Sequence, residues 1–399
     1  VRSRGLGDVY KRQMSSTILL PRIMEVGYES YKSLPSILEK LNVKKPLIIT
    51  DNMMVQLGYV AKVQAVLQEN GIASDVFSDT VPEPTDKSIE MGIKKVQQQA
   101  YDCVIALGGG SPIDSAKAIA ILGKFGGEIR DYKFPRQVNE AGLPIIAIPT
   151  TAGTGAEATK FTIITDEQKN EKLLCVGTGF MPIAAVIDYS FTMSVPPRTT
   201  ADTGIDAMTH AIEAYVSQKR NVYSDQQALA ALRLIGSSLQ TAYHDGSNQA
   251  AREAMMLGST LAGIAFCNSS VALVHGMSRP IGAFFHVPHG LSNAMLLPTI
   301  TEFSIPNAPE RYADCAHALG IAAADDSVDT ANQKLIEFLK AINQEFEVPT
   351  LQSFGVERQY FDGVLDTMCE QAFGSGSPNN NPRVPDTTQM LSLYRKLWD

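Results

Sequence analysis

CVIALGGGSPIDSAKAIA, residues 103–120, decides how this chain folds. An apolar, β-branched run ends in Gly108-Gly109-Gly110 and opens directly onto Ser111-Pro112, placed as cap and first-turn residues of a helix. Strand, glycine turn and helix in immediate succession mark one half of a βαβ unit. The same rhythm extends on both sides. Upstream are LIIT (47–50), a helical stretch from Val55 to Asn70, a strand near Ser74–Phe77 and a helical stretch from Thr85 to Ala100. Downstream, LPIIAIPTTAGTG (143–155) repeats strand then turn, and the pattern runs to about Ala185. Ligands of open parallel sheets bind at the carboxyl ends of the strands, so the turns after 50, 107 and 149 are expected to face one crevice.

After Val195-Pro196-Pro197 the texture changes to Ala-, Leu- and Ser-rich segments with helical spacing at 199–218, 222–243, 248–267, 270–284, 308–320 and 325–345. The expectation is an α/β dinucleotide-binding domain over 14–196 and an all-α domain over 197–399. GSGSPNNNP (374–382) reads as a loop. The opening VRSRGLGDVYKRQ (1–13) is basic, polar and without a signal-peptide core, and is read as a non-native extension ahead of Met14.

A chain of 399 residues exceeds one comfortable core. Its formal charge of −8 and the absence of a Lys/Arg stripe argue against a nucleic-acid partner. No apolar run approaches the ~20 residues of a membrane span. Five scattered cysteines, Cys103, Cys175, Cys267, Cys315 and Cys369, lack knuckle or CxxC spacing and read as reduced, buried thiols of a cytoplasmic protein. A homodimer is expected on the prevalence of twofold association.

Small residues in the Gly108–Ser111 turn let backbone N–H groups approach an anion at a helix N-terminus, which suits a pyrophosphate. A tight connection explains the same glycines. Asp114 and Lys117 follow on the first helical face, where solvated charge is the plainer reading. Asp51 closes its strand, where a carboxylate accepts a ribose 2′-hydroxyl and repels a 2′-phosphate, favouring NAD over NADP; it also reads as a helix N-cap. Thr150, Thr151 and Thr154 offer hydroxyls beside the same crevice.

In the second half GIDAMTHAIEAY (204–215) sets Asp206 and His210 on one helical face. VHGMSRPIGAFFHVPHG (274–290) then gathers His275, His286 and His289 in a chain with six histidines. Imidazoles with one carboxylate suit a catalytic divalent metal. His275 is expected within a helix and His289 in a turn after Val287-Pro288. His244 and His317 read as surface residues, and Phe266, Asn268, Phe284 and Phe285 as pocket walls.

GGGSPIDSAK, PTTAGTGAE, GIDAMTHAIEAYVS, HVPHGLSNAMLLP and the late NPR (381–383), in this order, resemble the iron-containing (group III) alcohol dehydrogenases. The resemblance implies a dehydroquinate synthase-like architecture with NAD(P) between the two domains, and hydride transfer between NAD and a small alcohol or aldehyde. It implies Asp206, His210, His275 and His289 as ligands to Fe²⁺, with Zn²⁺ the alternative. It places Asp51, Gly108, Gly109, Gly110, Ser111, Asp114, Thr150, Thr151 and Thr154 at the cofactor, and Lys172 is grouped with them. One departure stands out. Where many members carry a second histidine four residues after the first ligand of HxMxH, this chain reads HGMSR and carries Arg279. Arg279 is a poor general base. Either His286 or water moves the proton, or Arg279 holds an anionic group of the substrate, as in a 4-hydroxybutyrate-type dehydrogenase, or it pairs with a carboxylate structurally. A metal-dependent lyase or cyclase on the same scaffold is the competing activity.

Overall fold

The computed structural model describes residues 15–169 and 171–398, so the reading of 1–13 lies outside the described residues. The first half contains, in order, β1 (Ile23–Val26), α1 (Leu34–Leu41), β2 (Pro46–Ile49), α2 (Asn52–Gln56), α3 (Tyr59–Glu69), β3 (Asp75–Phe77), α4 (Asp86–Gln98), β4 (Cys103–Gly108), α5 (Gly110–Phe125) and β5 (Ile145–Pro149). A hairpin of β6 (Phe161–Asp166) and β7 (Glu171–Val176) follows, then β8 (Ala184–Ile187). Among the described residues the main sheet has the order β1-β8-β5-β4-β2-β3, and every neighbouring pair is parallel.

Alternation along the strands explains why both faces are covered. Leu47, Ile49, Val104 and Ala106 enter one core with Ile89 of α4 and Ile113 and Ile119 of α5. Their neighbours Ile48, Ile105 and Leu107 enter the opposite core with Leu34 and Leu38 of α1 and Val63 and Leu67 of α3. A strand presents successive side chains to opposite faces, so buried parallel strands must be apolar throughout. From β2 the chain goes to β3 on one side and then to β4 on the other, which puts the topological switch point between β2 and β4. The carboxyl ends there are Thr50-Asp51 and Gly108–Gly110.

The second half is helical: α6 (Pro197–Val216), α7 (Val222–His244), α8 (Gln249–Cys267), α9 (Leu273–Phe285), α10 (His289–Ser304), α11 (Pro309–Ala318), α12 (Val328–Glu345), α13 (Leu351–Phe354), α14 (Arg358–Gly374) and α15 (Thr387–Arg395). They enclose one apolar core. The β6–β7 hairpin, α10 and the helices after 345 were not anticipated. Among the described residues no helix is long and apolar enough to cross a membrane. The two halves touch at glycines: a Cβ on Gly155 would lie 2.5 Å from Gly263 Cα, and one on Gly153 would lie 2.5 Å from Thr203 Cβ.

Candidate metal centre and nucleotide cleft

Asp206 and His210 project from one face of α6, His275 from the first turn of α9, and His289 from the first position of α10. His289 is therefore helical rather than in a turn. Pro288, extended at φ −52°, leads into a helix whose first N–H groups need no intrahelical partner. One donor atom from each of the four residues lies within 4.8 Å of the others. Asp206 Oδ1 stands 3.4 Å from His275 Nε2, 3.7 Å from His289 Nε2 and 3.8 Å from His210 Nδ1. Donors about a tetrahedral cation at ~2.1 Å are ~3.4 Å apart, so the set has the right span. His210 Nδ1 is buried without a hydrogen-bond partner, a group that an incoming cation satisfies.

Three further residues, none of them singled out by motif or spacing, hold these rings. Glu213, one turn beyond His210, accepts N–H bonds from Ala272 at 2.8 Å and Val274 at 2.6 Å. Its Oε2 lies 2.7 Å from His275 Nδ1, which fixes the proton there and leaves the Nε2 lone pair facing Asp206. Ser278 Oγ does the same more weakly at 3.3 Å from His289 Nδ1. Asn293, one turn into α10, donates to Asp206 Oδ1 at 2.7 Å and lies 3.2 Å from both His275 Nε2 and His289 Nε2. Glu213 carried a legible signal, a lone acid inside the apolar run HAIEAYV.

Burial and mutual charge set the protonation. Burial drives His210 down to about 3 and His289 to about 4, against the pull of Asp206. Burial also opposes charge on His275, but Glu213 and Asp206 outweigh it and raise that ring to about 9. For Asp206 burial favours the neutral acid, yet the imidazoles hold it far below the carboxylate range.

The four donors line a cleft of about 410 Å³ that runs to Gly110, Asp114 and Thr154 at the head of α5. Gly109, not Ser111, is the N-cap of α5, so Gly110, Ser111 and Pro112 form its first turn. Gly108 sits at φ +151° with Pro112 Cγ 2.5 Å from where a Cβ would be, a position only glycine fills. Thr150 N–H donates to Gly108 O at 3.0 Å, and Thr151 and Thr154 pack on Gly109 and Gly110, so the two turns form one wall. Asp51 caps α2 by accepting from Met54 N–H at 2.9 Å.

Several expectations need correction. Lys117 is fully buried rather than solvated, donating to Phe161 O at 2.7 Å and Thr159 Oγ1 at 3.0 Å. Asp114 accepts from Ile163 N–H at 3.1 Å, and burial raises it to about 6 against the opposing Lys117. Both tie α5 to β6. His286 is exposed at φ +56° and lines a separate groove with Phe284 and Phe285, so it cannot relay a proton here and those rings are not cleft walls. Asn268 is taken by the backbone of Leu19 and Ile264. Phe266 does line the cleft, stacked on His210 at 4.3 Å. Phe161, Leu174 and Val176 of the unanticipated hairpin form the facing wall. Lys172 lies in an adjoining cavity and pairs with Glu83. Arg279 borders both cavities and donates from Nη1 to Ser377 Oγ at 3.1 Å, in the stretch read only as a loop.

Residues 21–189 match the profile described as iron-containing alcohol dehydrogenase, and 200–398 match that of the Fe-containing alcohol dehydrogenase family, C-terminal. The chain belongs to the iron-containing alcohol dehydrogenase family. It is 36% identical over 383 residues to alcohol dehydrogenase 4 of Saccharomyces cerevisiae (strain YJM789), covering 95% of this chain and 98% of that protein. The solved structure of a 1,3-propanediol oxidoreductase matches with a TM-score of 0.91 at 31% identity, over 96% of this chain and 100% of that one. Sulfoacetaldehyde reductase from Bifidobacterium kashiwanohense, solved with NAD⁺, matches with a TM-score of 0.85 at 25% identity, over 96% and 99%. As an iron-containing alcohol dehydrogenase, the chain is an oxidoreductase acting between alcohols and aldehydes. The competing lyase or cyclase activity gives way to that assignment.

Proposed function

We propose that the chain is an NAD-linked, metal-dependent dehydrogenase of small primary alcohols and reductase of their aldehydes, with Asp206, His210, His275 and His289 as ligands to Fe²⁺ or Zn²⁺. The observation that carries this reading is the convergence of three imidazoles and one carboxylate on a single cleft that also reaches the glycine turn of α5. When bound, such a cation supplies Lewis-acid polarisation of the alcohol or carbonyl oxygen. Glu213 and Ser278 orient two of the rings, and Phe161 and Phe266, stacked 6.0 Å apart, give the cleft an apolar wall beside the donors.

For the cofactor, Gly108, Gly109, Gly110 and Ser111 supply small residues and the helix N-terminus that suit a pyrophosphate. Asp114, Thr150, Thr151 and Thr154 border it, and Asp51 at the switch point disfavours a 2′-phosphate, which supports NAD over NADP. The NAD⁺ complex of the sulfoacetaldehyde reductase supports the nicotinamide assignment. Lys172, held by Glu83, is proposed to meet the cofactor from the hairpin side. The two domains are taken as 14–196 and 197–399, in keeping with the last strand at Ile187 and α6 from Pro197. Five buried, free thiols support a reducing cytoplasm, and a homodimer remains the proposed assembly.

His289→Ala tests the core of this reading. The variant is expected to lose bound metal and turnover, read by metal analysis and NADH absorbance, while keeping the wild-type Kd for NADH. Unchanged activity would sink the ligand assignment.

A further inference from the structure

Arg279 is a charged group of the cleft that has no ion-pair partner among the described residues. Its Nε is buried without a hydrogen-bond partner, and Nη1 is satisfied only by the neutral Ser377 hydroxyl. Among the described residues no carboxylate lies within 4.0 Å of the guanidinium. The acid whose charge acts on it is Glu213, already committed to His275 and two backbone N–H groups. The acids lining the cleft are also engaged, Asp206 among imidazoles and Asp114 with Ile163 N–H. Lys160 and Lys219 line it as well, and among the described residues neither has an ion pair within 4.0 Å. In a chain of net charge −8, three cations line this cleft without an ion-pair partner among the described residues, Lys160 over the Phe161 ring and Lys219 exposed to solvent.

A half-buried guanidinium whose Nε is sealed from solvent without a partner is costly in the absence of an anion, and a planar fork with free N–H groups matches a carboxylate or sulfonate. Arg279 lies four residues beyond His275 on the same face of α9, so its head group and the proposed metal donors border one space. We propose that Arg279 is a specificity-determining residue that binds an anionic substituent on a short substrate, so that the preferred substrates are ω-hydroxy acids and their aldehyde acids. This rests on the dehydrogenase reading above. The cofactor pyrophosphate is the other source of an anion, but the α5 N-terminus already meets that charge.

The test uses the metal-loaded protein with NADH and three aldehydes: 4-oxobutanoate, its methyl ester and butanal. Wild type is expected to favour 4-oxobutanoate over the other two in kcat/KM by on the order of 10–100-fold, the size of a charge-assisted hydrogen bond. Arg279→Gln should collapse that ratio and Arg279→Lys should restore part of it. No preference in wild type, or an unchanged ratio in Arg279→Gln, overturns the proposal. So does a rise in the KM for NADH of equal size with all three aldehydes, which identifies the cofactor phosphate as the anion. If wild type reduces none of them, the dehydrogenase reading fails, and calorimetric titration with 4-hydroxybutyrate decides separately. Binding that Arg279→Gln abolishes upholds the anion site, and no binding overturns it.

Discussion

Glu213 meets three donors with two oxygens inside an apolar core, so its replacement has a definite cost. Glu213→Gln presents an NH₂ to at least one of those donors and unlocks the His275 ring. Metal affinity is expected to fall ~10–100-fold, the usual effect of losing a carboxylate behind a ligating histidine. Metal content after dialysis against a buffered chelator reads this, and wild-type retention would assign Glu213 to folding alone. The histidines themselves predict a pH profile for the metal-free protein. His210 and His289 stay neutral down to about 3 and about 4, below the ~6.5 of an unfolded imidazole. The unfolded chain takes up protons first, so stability is lost as pH falls from ~6.5 toward those values. His275 has the opposite sign: raised to about 9, its charge stabilises the folded chain at low pH, and that contribution disappears as pH rises through about 9. Thermal midpoints of chelator-treated protein should decline on both sides, and His289→Ala should flatten the acid side. An acid limb identical in the variant would remove these rings as its cause.

Elements differ in how openly the sequence announces them. β2, β4 and β5 are continuous apolar runs because both faces of a parallel sheet are covered, and α6 to α9 carry long helical periodicity. The β6–β7 hairpin was hidden because its strands, FTIITD and EKLLCV, carry polar Thr and charged residues at their ends and flank the charged turn 166–172, so neither is the continuous apolar run of a strand covered on both faces. α10 was hidden because Pro288 and Gly290 look like turn residues, although proline tolerates a helix start. The four proposed donors stood out by residue type and spacing together with the family resemblance; Glu213 showed only as a lone acid in an apolar run, Ser278 and Asn293 act through partners distant in sequence, and Arg279's isolation exists only in three dimensions. The same distinction applies to glycines in helices. A Cβ on Gly263 of α8 would come within 2.6 Å of Gly155 O, whereas Gly363 of α14 has nothing within 4 Å. Gly263→Ala is expected to destabilise by ~1–3 kcal/mol through overpacking, and Gly363→Ala to be neutral or to stabilise by up to ~1 kcal/mol. Urea midpoints compare the two, and equal shifts would mean the contact between α8 and the Gly155 turn yields freely.

At the scale of the molecule the proposed metal donors belong to one half and the glycine turn to the other. All four donors come from α6, α9 and α10, within the helical core, while β2, β4 and β5 sit between two separate apolar layers. Metal removal is therefore expected to raise hydrogen exchange in α6, α9 and α10 and leave the central strands protected. Mass spectrometry of chelated and loaded protein reads this, and a uniform increase would show that the halves unfold as one unit. One strand of the connection between them runs through Glu83. It sits on the loop before α4, pairs with Lys172 of the hairpin, and its carboxylate also faces the backbone N–H of His289, where α10 begins. The α/β half thus reaches the first residue of a helix that carries one of the proposed metal donors. A rotation that widened the cleft would draw Glu83 away from the start of α10, so opening of the cleft and the placing of the His289 ring would be coupled.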